Sequence, residues 1–308
     1  MKIVVTGATG FIGSALVPAL RERGDEIVVL SRDAGRAKQA LGDVTAVDAD
    51  LETPGAWTSA LDGAGAVIHL AGQSVGARRW DAREKQVIRD SRVESTRTLV
   101  EAIAALPVAS RPRVLVSASG IDYYPFAPER HDFDDDEVTE ADPPGDSFLA
   151  RVCRDWEREA LAAEAHGLRV VTMRTGLVLG PGGALERLTT PFRFFVGGRI
   201  ASGRQWMSWI HRDDVVAAYV GAVHDDRYAG PINLVTESVR NADFARALGA
   251  ALGRPSWLPV PGFAVKMAAG EFAEYVLHGR NVVPARLRAL GFTWRYPALS
   301  DALADVVR

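Results

Sequence analysis

The chain opens on MKIVVTGATGFIGSAL (1–16), and the eight residues TGATGFIG (6–13) decide how everything after them is read. A short β-branched run, Ile3–Val5, leads into Gly7, Gly10 and Gly13 at the spacing GxxGxxG, and an amphipathic stretch from Phe11 to Arg23 follows. In a strand–turn–helix order each glycine has a physical reason. Gly7 permits the tight turn out of the strand, Gly10 lets the backbone approach a pyrophosphate, and Gly13 lets helix and strand pack closely. The pyrophosphate then lies at the helix N-terminus, where unpaired N–H groups and the positive end of the helix dipole meet it. The motif in this context predicts a dinucleotide site bordered by Thr6, Gly7, Thr9, Gly10, Phe11, Ile12 and Gly13.

Outward from that start the first half alternates short Val- and Ile-rich runs with longer amphipathic stretches, the pattern of a parallel sheet covered on both faces by helices. Strands are expected at Ile3–Val5, Ile27–Leu30, Val44–Val47, Ala66–Leu70, Arg113–Ser117 and Arg169–Met173. Helices are expected at Phe11–Arg23, Ala56–Leu61, Ala82–Ala105 and Ser147–Ala165, the third with Val87, Val93, Val100 and Ile103 near one apolar stripe. The run HDFDDDEVTEADPP within Tyr124–Pro144 reads as a solvated acidic loop rather than a metal site. After Met173 the alternation loosens into Gly/Pro-rich connections, with helices near Ala242–Leu252, Gly262–Tyr275 and Ala285–Leu290. The fold class expected is α/β: a doubly wound parallel-sheet Rossmann domain over 1–175 plus about 209–236, and a smaller capping region over about 176–208 plus 237–308.

Composition narrows the function. The chain has 308 residues, with 36 Lys+Arg against 39 Asp+Glu for a net charge of −3, so no basic excess exists to displace counterions from nucleic acid. No stretch reaches the roughly 18 apolar residues of a spanning helix, and no membrane partner is expected. A single cysteine, Cys153, excludes an intrachain disulfide and favours a reducing compartment, so a cytoplasmic protein with a small-molecule substrate is expected.

The end of the second strand selects the dinucleotide, because an acid there accepts from the ribose 2′-OH of NAD whereas a base holds the 2′-phosphate of NADP. The sequence reads VVLSRD, and Ser31 and Arg32 offer a hydroxyl and a guanidinium that binds phosphate bidentately. NADP(H) is therefore expected, with the adjacent Asp33 a complication because, turned inward, it would repel the phosphate.

Together with motifs further on, these residues resemble the short-chain dehydrogenase/reductase superfamily, in its extended branch of NAD-dependent epimerases and dehydratases. ADL (49–51) is similar to the adenine-contacting Asp-Leu pair, here Asp50 and Leu51, and VIHLAG (67–72) to the fourth strand with its cofactor-lining Leu70, Ala71 and Gly72. RTGLVLGPGG (174–183) and WIHRDDVV (209–216) resemble later segments of the same branch. FLARVCRDWE (148–157), SGRQWMSWIHRDD (202–214) and the run from ALGRP (251–255) through LPVP (258–261) resemble one atypical subgroup, epimerase family proteins with a small C-terminal domain of unknown function. The resemblance implies nucleotide binding, oxidoreductase or epimerase ancestry, and a homodimer formed through the helices near 82–105 and 147–165.

The resemblance also implies catalytic residues, and here the chain departs from it. Extended members use a Ser or Thr after the fifth strand and a Tyr-x-x-x-Lys pair, the phenol acting as acid/base with its pKa lowered by the ammonium. Ser119 matches the first position. Anchored on Glu157, Leu149 stands at the tyrosine position and Cys153 at the lysine position, while Arg92 replaces an asparagine beside the cofactor. Tyr123 and Tyr124 are the candidate proton donors that remain, each weighed against a packing role, and Cys153 reads as a small core residue. Arg79, Trp80, Arg204, Trp206 and His211 are candidate substrate-pocket residues, weighed against surface, interdomain-core and loop-anchoring roles. Three functions stand: an NADP(H)-dependent oxidoreductase on a small carbonyl or alcohol, a non-catalytic NADP(H)-dependent sensor, and, more weakly, a sugar-nucleotide epimerase.

Overall fold

The structure, a computed structural model, describes residues 1–126 and 135–307; part of the acidic run falls outside the described residues. In chain order the strands are β1 (Lys2–Thr6), β2 (Glu26–Ser31), β3 (Thr45–Asp48), β4 (Ala66–His69), β5 (Val114–Gly120), β6 (Glu137–Val138), β7 (Arg169–Thr175), β8 (Leu177–Leu179), β9 (Trp206–His211), β10 (Gly230–Leu234), β11 (Glu237–Arg240) and β12 (Asn281–Val282). The helices are α1 (Gly13–Glu22), α2 (Ala34–Leu41), α3 (Ala82–Ala105), α4 (Phe148–Leu161), α5 (Gly183–Arg193), α6 (Arg212–His224), α7 (Asn241–Leu252), α8 (Gly262–Ala269), α9 (Ala273–Leu277), α10 (Ala285–Ala289) and α11 (Leu299–Val306).

Seven strands make one parallel sheet in the order β10-β7-β5-β4-β1-β2-β3. Successive residues of a strand point to opposite faces, so the near-continuous apolar runs require cover on both sides. Ile3 and Val5 of β1 join Leu16, Val17 and Leu20 of α1 and Val215, Ala218 and Tyr219 of α6 in one core. Val4, between them, faces the other way, into a core with Leu99, Val100 and Ile103 of α3 and Ala160 of α4. Each such Val or Leu withdrawn from water contributes about 1.5–3 kcal/mol, which makes a one-residue slip of register prohibitive.

A second, three-stranded sheet, β11-β9-β8, sits on its own core, where Leu179, Trp209, Phe244 and Leu303 join side chains of α5 and α7. β9 belongs to this sheet, and α6, from Arg212, is the first element after it to pack on the large sheet. The C-terminal stretch is likewise not cap alone. Leu287, with Leu290, Phe292 and Trp294 packed beside it, joins the core shared by α1 and α6, and the Asp214 carboxylate accepts the N–H groups of Arg295 (2.6 Å) and Tyr296 (3.2 Å). The helix expected over Gly262–Tyr275 is broken at Gly270, whose φ of +60° no helix accommodates. Val87 departs from the expected apolar stripe and is 41% exposed.

Candidate functional site

The sheet reverses its strand order between β1 and β4, and a cleft opens there above the carboxyl ends of the strands, the place where doubly wound sheets bind ligands. Gly7, Thr9, Gly10, Leu70, Ala71 and Gly72 line it, together with Ser31, Arg32, Asp50 and Leu51 at one side and Val87, Ser91 and Ser95 of α3 at the other. Val87 is exposed because it faces this cleft and not the core.

The glycine turn has the close approaches that its spacing predicts. Gly7 holds a φ of +67°, and a Cβ there would stand 2.6 Å from the Leu70 carbonyl carbon. A Cβ on Gly13 would stand 2.5 Å from the Gly7 carbonyl oxygen, so only glycine lets α1 start this close to the turn. The first turn of α1 carries no side-chain cap and no acid, whereas Asp33, Asp81 and Ser147 cap α2, α3 and α4. A bare, positively polarised helix start beside a floor of glycine backbone is a cradle of the shape and sign that a pyrophosphate requires. Phe11 and Ile12 are half-buried and lie outside the cleft lining; the Phe11 ring packs against Gly180 and Gly183, with the Arg212 guanidinium 5.3 Å away.

Beneath the cleft runs a chain of polar groups that the sequence reading missed. Thr6 Oγ1 accepts from the Ala71 N–H (3.2 Å) and lies 2.7 Å from His69 Nδ1; His69 Nε2 lies 3.4 Å from Ser95 Oγ. Ser95 spends its hydrogen on α3 carbonyls, that of Ser91 at 2.7 Å, so Nε2–H donates to Ser95 and Nδ1 accepts from Thr6. The ring is fully buried, and desolvation, with the Arg92 charge adding to it, lowers its pKa to about 4. His69 is a neutral strut between β1, β4 and α3.

At the ribose side, Asp33 resolves its own ambiguity. Its carboxylate accepts the Arg36 N–H at 2.8 Å as the cap of α2, which commits it to the helix. Arg32 is exposed at the cleft edge, and Ser31 Oγ donates to the Asp33 carbonyl oxygen at 3.1 Å.

The end of β5 corrects two catalytic expectations. Ser119 is buried and donates its hydrogen to Glu157 Oε1 at 2.6 Å, so that hydrogen is not available to a substrate carbonyl. Glu157 is also held by Arg174 through Nε (2.9 Å) and Nη2 (2.8 Å), a bidentate pair with both side chains almost wholly buried. Tyr124 is fully buried, donates to Asn233 Oδ1 (2.7 Å) and accepts from Arg174 Nη1 (2.9 Å), and burial pushes its pKa up to about 12. It is a structural tyrosine. Tyr123 is half-buried with the Arg174 guanidinium 3.5 Å from its ring centre.

Leu149 and Cys153, the two positions that the sequence aligned with that Tyr and Lys, are both buried. Leu149 packs against Trp80 and Ile88, and burial pushes the Cys153 thiol up to about 12, with Asp122 and Glu157 adding to the effect. The thiol is therefore neutral and unsuited to nucleophilic or redox work. Two groups missed in the sequence stand close by. Asp122, in the 3-10 turn Ile121–Tyr123, is raised by burial against the opposing charges of Arg280 and Arg92. A Cβ on Gly120 would lie 3.5 Å from Asp122 Oδ2 and 3.6 Å from Cys153 Sγ, which places the carboxyl and the thiol side by side. Tyr275, from the C-terminal region, accepts the Leu149 N–H on its hydroxyl at 2.9 Å. Arg92 connects this group to the cleft: it lies along Gly72, 5.3 Å over the Trp156 ring, and Nη1 donates to the Ile88 carbonyl. No sequence signal marks Asp122 or Tyr275, because each becomes significant only through contacts remote in the chain.

None of the five candidate pocket residues lines the cleft. Trp80 is interdomain core, ringed by Phe148, Phe272 and Tyr275 at 5.2–5.6 Å, with Nε1 donating to the Val75 carbonyl. Arg79 is exposed and lies along Gly270, Arg204 is exposed in the loop before β9, and Trp206 stacks under the Arg240 guanidinium at 3.7 Å. His211 caps α6 by accepting the Asp213 N–H at Nδ1. Its ring lies 3.8 Å from that of Tyr296, Nε2 stands 3.3 Å from Asp305 without hydrogen-bond geometry, and burial lowers its pKa. It anchors a loop.

Comparison with known proteins identifies the family. The model of the NAD dependent epimerase/dehydratase family matches residues 3–234, and that of a domain of unknown function, DUF1731, matches 260–306. An epimerase family protein SDR39U1 homologue from Arabidopsis thaliana, described as chloroplastic, is 40% identical over all of this chain and 87% of its own length. The Bos taurus epimerase family protein SDR39U1 is 36% identical, covering 100% of both chains. Among solved structures, human epimerase family protein SDR39U1 with NADPH superposes with a TM-score of 0.84 at 31% identity over 99% of each chain. A nucleoside-diphosphate sugar epimerase from Corynebacterium glutamicum gives 0.77 at 33%, over 99% of this chain and 57% of that one. With a glycine cradle built for a dinucleotide, a parallel sheet that reverses beside it, and a family model spanning both, the chain belongs to the NAD-dependent epimerase/dehydratase family.

Proposed function

We propose that this protein is an NADPH-dependent oxidoreductase acting on a small carbonyl or alcohol substrate, with Asp122 as its proton donor. The observation that carries the reading is the glycine-floored cleft at the uncapped start of α1, with Arg32 at its edge; Arg92 runs from Gly72 in that cleft toward the buried Asp122 carboxyl at the end of β5. When bound, NADPH supplies hydride chemistry, as the fold arranges for dinucleotides generally. The residues do the rest. Uncapped α1 and Gly10 would hold the pyrophosphate and Arg32 the 2′-phosphate, with Asp50 and Leu51 at the adenine side. The capture of Asp33 by α2 leaves the 2′-phosphate facing Arg32 alone, and the human relative solved with NADPH supports the same preference.

Asp122 gives its proton to the substrate oxygen as the carbonyl becomes an alcohol, and recovers it from solvent; in the reverse direction it takes that proton. The Arg92 charge stabilises the carboxylate left behind. Epimerisation through a keto intermediate makes the same demand on a base and is the weaker reading.

Fluorescence titration with NADPH and NADH, followed by nicotinamide absorbance with a panel of small aldehydes and ketones, tests the reading. Tighter binding of NADPH, and turnover that Asp122→Asn abolishes without weakening NADPH binding, are expected. Tight NADPH binding with no oxidation of the cofactor by any carbonyl points instead to the sensor function. Equal affinity for the two cofactors refutes the role of Arg32.

A further inference from the structure

Most of the large apolar side chains that the described residues leave exposed fall in two short segments: Phe194, Phe195 and Val196, then Trp257, Leu258, Phe263 and Met267. The segments are remote in sequence and adjacent in space. Trp257 Nε1 donates to the Phe195 carbonyl (3.1 Å), Ile200 and Val260 form a parallel bridge, and Val260 N–H donates to the Arg199 carbonyl (2.9 Å). Together they gather seven exposed apolar side chains into one neighbourhood, where a globular protein normally scatters them singly.

This surface is built, not left over. α8 reads GFAVKMAA and has no fully buried residue, so its apolar sequence does not serve the core of this chain. Phe194 is 73% exposed and Trp257 68%. Phe195 is held at a φ of +62°, a conformation that a bulky side chain rarely adopts without a reason.

Charge identifies what covers it. The stretches Arg193–Arg204 and Leu252–Ala269 hold Arg193, Arg199, Arg204, Arg254 and Lys266 and not one Asp or Glu, in a chain whose net charge is −3. Lys266 pairs with Glu274 from outside both stretches. A second copy of this chain docked face to face would set these cations against one another, because a twofold interface meets its own patch. Phenylalanine and tryptophan interspersed with arginines is the composition of a surface that rests on anionic headgroups and inserts its apolar tips below them.

We propose that this patch docks the protein peripherally on an anionic lipid bilayer. No helix among the described residues is long and apolar enough to cross a membrane, so the contact lies in the interface. The lack of a spanning segment, on which the expectation of no membrane partner rests, bears on crossing a bilayer and not on peripheral contact with one.

Flotation of the full chain with vesicles of phosphatidylcholine alone, and of phosphatidylcholine with phosphatidylglycerol, tests this directly. Binding is expected only to the anionic vesicles, and it falls as salt is raised. Phe194→Ser with Phe263→Ser, and separately Arg193→Glu with Arg254→Glu, each lower the bound fraction by about tenfold or more. NADPH binding and melting temperature stay unchanged in both variants, which excludes misfolding. Absence of binding to anionic vesicles overturns the proposal, as does binding that neither pair of substitutions weakens. Sedimentation velocity showing a dimer that the Phe194→Ser and Phe263→Ser pair dissociates would assign the patch to a second copy and equally overturn it.

Discussion

Replacing His69 by Gln removes a titratable strut from beneath the cleft, and its signature is a change in how stability depends on pH. The unfolded chain protonates this histidine near 6.5 and the folded chain only near 4, because the ring is desolvated and both nitrogens are engaged. Between those values the unfolded state binds the extra proton, so stability is full above about pH 6.5 and is lost as pH falls toward 4. At about 1.4 kcal/mol per pH unit, moving from about pH 7.5 to pH 5 removes roughly 2 kcal/mol through this residue alone, and the loss approaches about 3 kcal/mol near pH 4. Urea unfolding of the wild type and His69→Gln at the two pH values, without cofactor, measures it. The variant starts less stable, since it loses part of the Thr6–His69–Ser95 chain, yet it sheds about 2 kcal/mol less than the wild type between the two conditions. Carboxylates titrating in the same range affect both proteins alike and cancel in that difference. Equal losses in the two proteins, or a magnetic-resonance titration placing His69 near 6.5, would refute a neutral buried imidazole.

Gly7→Ala forces a side chain into the Leu70 backbone at a positive φ, so NADPH binding measured by fluorescence falls at least tenfold, together with a loss of melting temperature. Arg32→Ala weakens NADPH by about tenfold or more and leaves NADH within a few-fold, read in the same titration. Asp33→Ala removes the cap of α2 at a cost of about 1 kcal/mol in urea unfolding, with NADPH affinity unchanged, because the carboxylate serves the helix and not the cofactor. Glu157→Gln strands the Arg174 charge in the core and lowers stability by about 3–5 kcal/mol, measured by denaturant midpoint.

What the sequence made legible was whatever is local. Thr6–Gly13 fixed strand, turn, helix and ligand class at once, because a glycine at Gly7 or Gly13 has a steric reason inside its own motif. The long helix over Ala82–Ala105 followed from a sustained period, and its end residues are those observed. Val87 fooled the period because a residue lining a cleft obeys the needs of the ligand. Trp80, Tyr124 and His211 stay open between function and packing in the sequence for a common reason: aromatic or imidazole chemistry suits either until the partner is seen. Those partners, Phe272, Asn233 and Tyr296, lie 85 to 192 residues away in the chain. Asp122 went unnoticed in the opposite sense, since a lone carboxylate after a strand is unremarkable until burial raises its pKa.

The segment that runs back from the cap, placing Leu287 in the core of α1 and α6 and resting Arg295 and Tyr296 on Asp214, sets the unit in which the chain folds. Two families match successive stretches of the chain, as if it were a module with an appendix. Cut after Leu234, the first stretch would keep its sheet and its glycine turn but leave Asp214 without its two donors and a bare apolar face where Leu287 had been. The two stretches therefore melt as one cooperative body, and the segment that closes the dinucleotide domain comes from beyond the cap in the chain.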